Sequence, residues 1–230
     1  MPDIALPPCL HDLETLARGP GLVLARCGYR PEAFAGDAFA RTGIPLPPGL
    51  ERAVAKRRLE YLAGRVCARA ALGLATGLDA VPAIGDDRAP RWPAGAVGAI
   101  THSHGEAAAL TGDARQWRGL GLDRERWLAP ARAARLRDEL LTPAERDTLT
   151  GLSEDALARR VTLTFSVKES LFKALYPLTG RRFYFQDAAL EGDRIRLLTD
   201  LSPDWRAGHG LRFDVEEDAT GLLSWILVPA

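Results

Sequence analysis

A helical repeat of apolar residues in the first half of the chain constrains the fold more than any other feature of the sequence. Between Leu50 and Leu74, apolar side chains recur at intervals of three and four residues: Ala55, Leu59, Leu62, Val66 and Ala70. This spacing places them on one face of an α-helix. Gly73 and Gly77 follow, and glycine commonly ends a helix. The sequence therefore predicts a long helix with one buried face.

Short apolar and alternating runs on both sides of this helix predict strands. One run, residues 21–27, precedes the helix, and residues 30–49, punctuated by Pro and Gly, are predicted to form a surface loop. Three runs follow the helix, at residues 97–101, 107–112 and 118–125. We expect these three to be adjacent strands.

The second half repeats this order of elements. Thr142-Pro143-Ala144-Glu145 has the form of a helix start, and Ser153 is predicted to begin a longer helix that Pro177 ends. Four strand patterns joined by Gly and Asp turns follow, at residues 183–190, 194–199, 211–217 and 222–230. We therefore predict an α+β fold of two pseudo-repeated subdomains with mainly antiparallel sheets. The expected halves are 1–112 and 113–230, in one compact unit with a cleft between them.

Composition excludes several classes of protein. The chain has 30 basic and 30 acidic residues and a formal net charge of zero, so it lacks the overall positive field of a nucleic-acid binder. Three widely spaced cysteines fit neither a disulfide framework nor a zinc site, and we expect reduced thiols. The sequence has no signal peptide pattern and no run of about 18 apolar residues. We expect a cytoplasmic protein that binds neither nucleic acid nor membrane.

The distribution of lysine draws attention to one short segment. Only Lys56, Lys168 and Lys173 are lysines among the 30 basic residues, and two of them lie within six residues. A compact ammonium and a planar guanidinium are not interchangeable at a binding site. Residues 168–173 are therefore a candidate for chemistry.

Acidic residues near and before this segment could hold a metal ion. Asp123 and Glu125 are two apart at a strand end, so their side chains leave the same face and could bind Mg²⁺. Glu169 and Lys173 are four apart on a helix, a spacing that also describes an ordinary surface ion pair. Their apolar neighbours favour a partly packed position, where the carboxylate could accept a proton and the ammonium could neutralise phosphate.

A second group of candidates could bind phosphate. His102 directly follows an apolar strand, where its ring and the Thr101 hydroxyl could face an anion. Arg57, Arg58, Arg65 and Arg69 form a basic stripe on the first long helix, which is either a solvated face or a ligand site. The chain contains no HExxH, GxSxG, Walker or GxGxxG motif, which argues against the common protease, hydrolase and nucleotide-loop classes.

In order, four segments resemble the 4′-phosphopantetheinyl transferases of the Sfp superfamily, in particular those of enterobactin and actinobacterial pathways. The segments are residues 55–69, 88–103, 119–125 and 165–180. The most specific part is GxDxE followed by KExxxK in a helix, together with the upstream KRRxExLAGR and Thr-His-Ser. The resemblance covers roughly residues 54–178.

The resemblance implies transfer of the phosphopantetheine arm from coenzyme A to a serine of an apo acyl or peptidyl carrier protein, with release of adenosine 3′,5′-bisphosphate. It implies that Mg²⁺, with Mn²⁺ as a substitute, is bound by Asp123, Glu125 and Glu169. It also implies that Glu169, helped by Lys173, takes the proton of the serine.

The same resemblance implies a set of residues that bind coenzyme A in a cleft between the two halves. Arg57, Arg65 and His102 would hold its phosphates, with Arg88 as an addition, and Lys168 and Lys173 would lie by the pyrophosphate. We expect a monomer. Two other functions stay open at this stage: another Mg²⁺-dependent pyrophosphate hydrolase that uses water as the nucleophile, and a noncatalytic coenzyme A binding protein.

Overall fold

The computed structural model describes residues 6–230 and divides the chain into two units. The first unit extends to Arg118 and includes Ala230, and the second comprises residues 119–229. The first unit continues past residue 112, where we expected the division, because its last sheet strand runs to Asp113.

The first unit contains a four-stranded antiparallel sheet, a two-stranded ribbon and two α-helices. The sheet has the order β1-β2-β6-β5 and consists of β1 (Leu10–Gly19), β2 (Leu22–Tyr29), β5 (Ala96–Ser103) and β6 (Glu106–Asp113). The ribbon pairs β3 (Ala83–Ile84) with β4 (Pro90–Arg91). The helices are α1 (Ala38–Thr42) and α2 (Ala55–Thr76).

Helix α2 confirms the prediction made from the apolar repeat. Its side chains Leu59, Leu62 and Val66 are buried and pack, with residues of β2 and β6, in the core of this unit. The helix ends at Gly77, whose φ of 78° lies in the left-handed region that glycine tolerates best. One amphipathic helix and one sheet face are thus joined by a shared apolar layer.

Three details of the first unit differ from the predictions. The alternating exposed side chains of β1 carry little hydrophobic signal, and this strand was not predicted. Residues 30–49 contain α1 and two short 3-10 helices at Pro31–Ala33 and Pro48–Leu50, rather than only loop. The run at 118–125 is a strand, but it does not pair with β5 or β6, because it belongs to the sheet of the second unit.

The second unit contains a five-stranded sheet and three α-helices. The sheet has the order β7-β11-β10-β9-β8 and consists of β7 (Trp117–Arg126), β8 (Ala188–Glu191), β9 (Arg194–Leu197), β10 (Gly210–Glu217) and β11 (Gly221–Pro229). The helices are α3 (Pro130–Leu140), α4 (Pro143–Asp147) and α5 (Glu154–Thr179). Helix α5 contributes Val167, Leu171 and Leu175 to the buried core of this unit.

Both predicted helix starts in this unit are confirmed. Thr142 and Glu145 form a reciprocal capping box, and the Ser153 side chain accepts a hydrogen bond from the backbone of Ala156. The predicted end of α5 is wrong: Pro177 lies inside the helix, which continues to Thr179. Pro177 has no N–H to donate to the carbonyl oxygen of Lys173, so the helix continues here with one backbone hydrogen bond fewer.

The observed elements confirm an α+β protein with mainly antiparallel sheets. None of the helices within residues 6–230 is both long and apolar enough to cross a membrane.

Candidate active site

Two glycines of β7 allow this strand to lie directly against α5. A Cβ atom on Gly121 would overlap the carbonyl oxygen of Ser170, and one on Gly119 would lie 2.7 Å from the carbonyl oxygen of Ala174. Such a close approach of strand and helix backbones requires residues without a side chain. The Gly-Leu-Gly-Leu-Asp sequence therefore brings Asp123 to the surface of α5 that carries Lys173.

Lys173 fixes the position of Asp123. Its ammonium donates hydrogen bonds to Asp123 Oδ1 at 2.7 Å and to the carbonyl oxygen of Leu122 at 3.0 Å. The Asp123 side chain is only 5% exposed, whereas that of Lys173 is 27% exposed. An ordinary surface ion pair of Glu169 with Lys173, the alternative left open by the sequence, does not account for this contact, which joins helix and strand through a largely buried carboxylate.

The carboxyl groups of Glu125 and Glu169 interact electrostatically with Asp123 and Lys173. Burial raises the pKa of Glu125 to about 7, and the negative charges of Asp123 and Glu169 add to this effect against the opposing charge of Lys173. Burial also raises the pKa of Glu169, with Lys173 opposing and Asp123 adding to the shift. Burial is the main cause of both raised pKa values, and the neighbouring carboxylates add to it against the opposing charges of Lys173 and, for Glu125, of Arg132.

The chemistry of these acids fits a hard divalent cation. Within residues 6–230, no three His, Cys, Asp or Glu side chains are arranged to enclose a metal ion. Mg²⁺ does not need such a cage, because it is commonly bound by one or two carboxylates together with water and substrate phosphate. Asp123, Glu125 and Glu169 carry the carboxylate oxygens that Mg²⁺ and Mn²⁺ prefer, and one or two of them would suffice for such an ion together with water and substrate oxygens.

An apolar cavity of about 240 Å³ opens beside Glu169 in the second unit. Its apolar lining consists of Leu171, Phe172, Phe183, Phe185 and Ala188. Lys168, Arg182 and Tyr184 also line it. A cavity of this kind suits a flexible, largely uncharged chain whose reactive end lies near the acids.

The structure places the Lys168 ammonium inside the second unit. Only 3% of Lys168 is exposed to solvent. Its ammonium donates three hydrogen bonds inside the fold. The acceptors are the carbonyl oxygens of Leu140 and Phe185, at 2.9 and 2.8 Å, and Glu145 Oε2 at 2.7 Å. Because these bonds use all three donors of the ammonium, Lys168 stabilises the fold in this structure, and its role in coenzyme A binding stays a prediction.

Glu145 is a structural residue that sequence reasoning recognised only as a helix cap. Besides Lys168, its carboxylate accepts hydrogen bonds from the backbone nitrogens of Thr142 and Leu190, both at 2.8 Å. It thereby links the start of α4, the start of β8 and the middle of α5. The capping-box pattern was visible in the sequence, but the partners from distant segments were not.

In the first unit the structure brings Arg57 and His102 together. A guanidinium nitrogen of Arg57 lies 3.2 Å from Nε2 of His102. Both side chains retain exposure to solvent, at 53% and 32%. They therefore form a basic pair that an anion can reach.

The other predicted phosphate ligands of the first unit have different surroundings. Arg65 is buried, lies over the Tyr61 ring and donates a hydrogen bond to the carbonyl oxygen of Ala83 at 3.2 Å. Thr101 is buried in β5, whereas Arg88 is exposed in the turn between β3 and β4, with a φ of 71°. The roles of these residues in coenzyme A binding stay predictions.

The stability of the metal-free protein should fall as the pH rises. Glu125 has an ordinary pKa of 4.5 and a pKa of about 7 in the folded protein, so the unfolded state loses its proton first. Between about pH 5 and pH 7, the free energy of unfolding measured in chelator should decrease by about 1–2 kcal/mol, less than the full shift implies because solvent still reaches this side chain.

Glu125→Gln is the control for this pH dependence. It should make the decrease smaller, leaving the part that the raised pKa of Glu169 contributes, and make the protein more stable than the wild type above pH 7. If the free energy of unfolding changes with pH by the same amount in both proteins, the raised pKa of Glu125 is contradicted.

Comparison with known proteins finds a match for each of the two segments that carry these residues. Residues 47–112 match the sequence model of the 4′-phosphopantetheinyl transferase N-terminal domain. Residues 119–214 match that of the 4′-phosphopantetheinyl transferase superfamily. The first match contains Arg57 and His102, and the second contains Asp123, Glu125, Glu169 and Lys173.

Individual relatives agree with these matches. The chain is 43% identical over 187 residues to 4′-phosphopantetheinyl transferase Svp of Streptomyces mobaraensis, which covers 70% of this chain and 72% of Svp. It is 42% identical over 131 residues to enterobactin synthase component D of Escherichia coli O157:H7, covering 57% of this chain and 61% of that protein. A crystal structure of a holo-(acyl-carrier-protein) synthase from Bacillus anthracis with coenzyme A is more distant, with 17% identity and a TM-score of 0.38 over 50% of this chain and 98% of that chain.

Proposed function

Because the chain belongs to the 4′-phosphopantetheinyl transferase superfamily, we propose that it transfers 4′-phosphopantetheine from coenzyme A to a serine of an apo carrier protein. The products are a holo carrier protein and adenosine 3′,5′-bisphosphate. The observation that carries this proposal is the cluster of Asp123, Glu125, Glu169 and Lys173 at the contact of β7 and α5. Neither a hydrolase nor a noncatalytic binding protein is favoured by any feature of this cluster.

We propose that Asp123, Glu125 and Glu169 hold Mg²⁺ together with oxygens of the coenzyme A diphosphate. An ion held there would supply positive charge to offset the negative charge that grows on the diphosphate as the bond to the pantetheine phosphate breaks. Binding of the cation would also reduce the electrostatic repulsion among these carboxylates. The half-buried carboxyl groups of Glu125 and Glu169, which lie near enough to Asp123 to interact with it, support this assignment.

Glu169 is the proposed base for the carrier serine. In the metal-free protein burial raises the pKa of Glu169, so its carboxylate accepts a proton more readily than that of an exposed glutamate. Lys173 holds Asp123 and presents a compact positive charge to the diphosphate. The cavity beside Glu169 would receive the pantetheine arm, so that its phosphate end faces the acids.

In the first unit, Arg57 and His102 are the proposed ligands of a coenzyme A phosphate. Charge-assisted hydrogen bonds to phosphate favour such a pair. The monomeric state and the cytoplasmic location stay predictions from the sequence.

Activity should depend on a divalent cation. With coenzyme A and an apo carrier protein, an excess of chelator should abolish formation of holo carrier, and added Mg²⁺ should restore it. Calorimetry of Mg²⁺ binding provides a second readout that needs no turnover, and Asp123→Asn should weaken it about tenfold or more.

Two outcomes would count against this proposal. Full activity in chelator would contradict the metal assignment. Release of adenosine 3′,5′-bisphosphate at the same rate with and without carrier protein would identify a hydrolase.

A further inference from the structure

The turn between β10 and β11 is bound to the end of β7, the strand that carries Asp123 and Glu125. From Nη2, the Arg124 guanidinium donates hydrogen bonds to Asp218 Oδ2 at 2.8 Å and to the Thr220 hydroxyl at 2.9 Å. Only 8% of the Arg124 side chain is exposed, and a buried charge requires a partner of opposite charge, which Asp218 supplies. Arg124, which stands between the two acids in the sequence, therefore contacts a residue 94 positions further along the chain.

A second pair of contacts binds the same turn on the other side of Glu125. The backbone nitrogen of Trp127 donates a hydrogen bond to the carbonyl oxygen of Thr220 at 3.0 Å, and its indole Nε1 donates to the carbonyl oxygen of Asp218 at 3.1 Å. Between these contacts, a Cβ atom on Gly221 would overlap the carbonyl oxygen of Glu125. The turn therefore holds β7 one residue before Glu125 and two residues after it, and the chain lies directly against the Glu125 backbone.

Hydrogen bonds within the turn fix its own shape. Asp218 Oδ1 accepts hydrogen bonds from the backbone nitrogens of Thr220 and Gly221, at 2.6 and 2.9 Å, and from the Thr220 hydroxyl at 2.6 Å. The other carboxylate oxygen accepts the hydrogen bond from Arg124. Asp218 thus shapes the turn with one oxygen and binds β7 with the other, so the turn can support the strand.

The geometry of a strand makes this support useful to the acids. Successive side chains point to opposite faces, so Asp123 and Glu125 share one face of β7 and Arg124 lies on the other. Arg124 can therefore hold the strand without occupying the face from which the carboxylates project. Lys173 of α5 fixes the Asp123 side chain, and the β10–β11 turn fixes the backbone of Glu125.

We propose that Arg124 is a positioning residue: with the β10–β11 turn, it holds the backbone of Glu125 where the carboxylate can bind the divalent cation. This inference rests on the proposed function, which assigns the cation to Asp123, Glu125 and Glu169. A ligand that is already held in place loses less conformational freedom when the ion binds, so release of the strand from the turn weakens the cation site. Arg124 acts through Glu125 and does not itself bind the ion.

The sign of the change in Mg²⁺ affinity separates positioning from the effect of charge alone. Through charge alone, loss of the cation in Arg124→Met would strengthen Mg²⁺ binding, and loss of the anion in Asp218→Asn would weaken it. Positioning predicts weaker binding in both variants, because each releases the turn from β7. Calorimetry with Mg²⁺ as the only ligand should show about tenfold weaker binding in each. The double variant should bind no more weakly than the weaker single variant, because both substitutions remove the same interaction.

Three further variants complete the measurement. Arg126→Met removes an exposed arginine next to Glu125 and should leave the Mg²⁺ affinity unchanged or slightly higher. Arg124→Lys, whose ammonium can donate to both acceptors, should bind Mg²⁺ more tightly than Arg124→Met. Trp127→Phe combined with Thr220→Val removes one contact on each side of Glu125 without a change of charge and should weaken Mg²⁺ binding about threefold. This uncharged double variant carries the test if Arg124→Met does not fold.

The outcomes separate this inference from the proposed function. Unchanged or tighter Mg²⁺ binding by folded Arg124→Met, an equal loss in Arg126→Met, no recovery in Arg124→Lys, or an unchanged affinity in the uncharged double variant would each overturn the role of Arg124 and leave the transferase function standing. The expected losses, found in a protein whose wild type binds Mg²⁺ but modifies no carrier, would support the role of Arg124 and overturn the transferase function. A wild type that does not bind Mg²⁺ would overturn the role of Arg124 together with the metal assignment.

Discussion

Replacing Glu169 by glutamine should lower kcat about a hundredfold or more and leave the melting temperature unchanged or slightly higher. The substitution removes the proposed proton acceptor and one ligand of the cation, so the transition state loses two interactions. The folded protein loses a carboxylate whose pKa is raised by burial and by Asp123, which relieves repulsion. Steady-state kinetics with saturating coenzyme A and carrier, together with thermal denaturation, measure both effects.

Two further variants test whether the loss of kcat is specific to the Glu169 carboxylate. Glu154→Gln changes an exposed glutamate in the first turn of the same helix and should leave kcat unchanged. Lys173→Arg keeps the positive charge but cannot reproduce the compact contact with Asp123 and Leu122, and it should also lower kcat. Near-normal turnover in Glu169→Gln would remove α5 from the catalytic machinery.

Replacing Lys168 by methionine should lower the free energy of unfolding by about 3–5 kcal/mol. The substitution leaves the Glu145 carboxylate buried without its cation, and it also removes the ammonium donors from two backbone carbonyl groups. Burial lowers the pKa of Lys168 while Glu145 opposes this shift, as expected for a charge that the protein interior tolerates only with its partner. Urea denaturation measures the change.

Lys56→Met is the matched control, because this lysine is 71% exposed and pairs with Glu60 at only 3.9 Å. It should change stability by no more than about 0.5 kcal/mol. The double variant Lys168→Met with Glu145→Leu should lose less than the sum of the two single variants, by at least about 1 kcal/mol. Additive losses, or a loss in Lys168→Met as small as in Lys56→Met, would show that the buried pair contributes little.

The sequence predicted local structure well where local signals exist. The apolar repeat of α2, the Thr142 capping box and the Ser153 cap depend on neighbouring residues, and all three are confirmed. The predicted end of α5 was too early, because a proline in the sequence does not show whether the residues after it stay helical. The sheet membership of β7 could not be predicted either, because it depends on pairing with β11 far along the chain.

The candidate site shows the same division. The spacing of Asp123 and Glu125 on a strand and of Glu169 and Lys173 on a helix was sufficient to group these residues. The sequence could not show that Lys173 contacts Asp123, because that contact depends on the glycine-mediated approach of β7 to α5. For Lys168 the resemblance implied a place beside the pyrophosphate, and the sequence could not show the contact of its ammonium with Glu145, which lies 23 residues away along the chain.

The central claim is tested most directly by intact mass spectrometry of a panel of apo carrier proteins after incubation with this protein, coenzyme A and Mg²⁺. At least one carrier should gain the mass of one phosphopantetheine group, and a variant of that carrier with its acceptor serine changed to alanine should gain nothing. The same reaction with Glu169→Gln should proceed about a hundredfold more slowly. Unmodified carriers throughout the panel, with coenzyme A consumed or untouched, would contradict the transferase function.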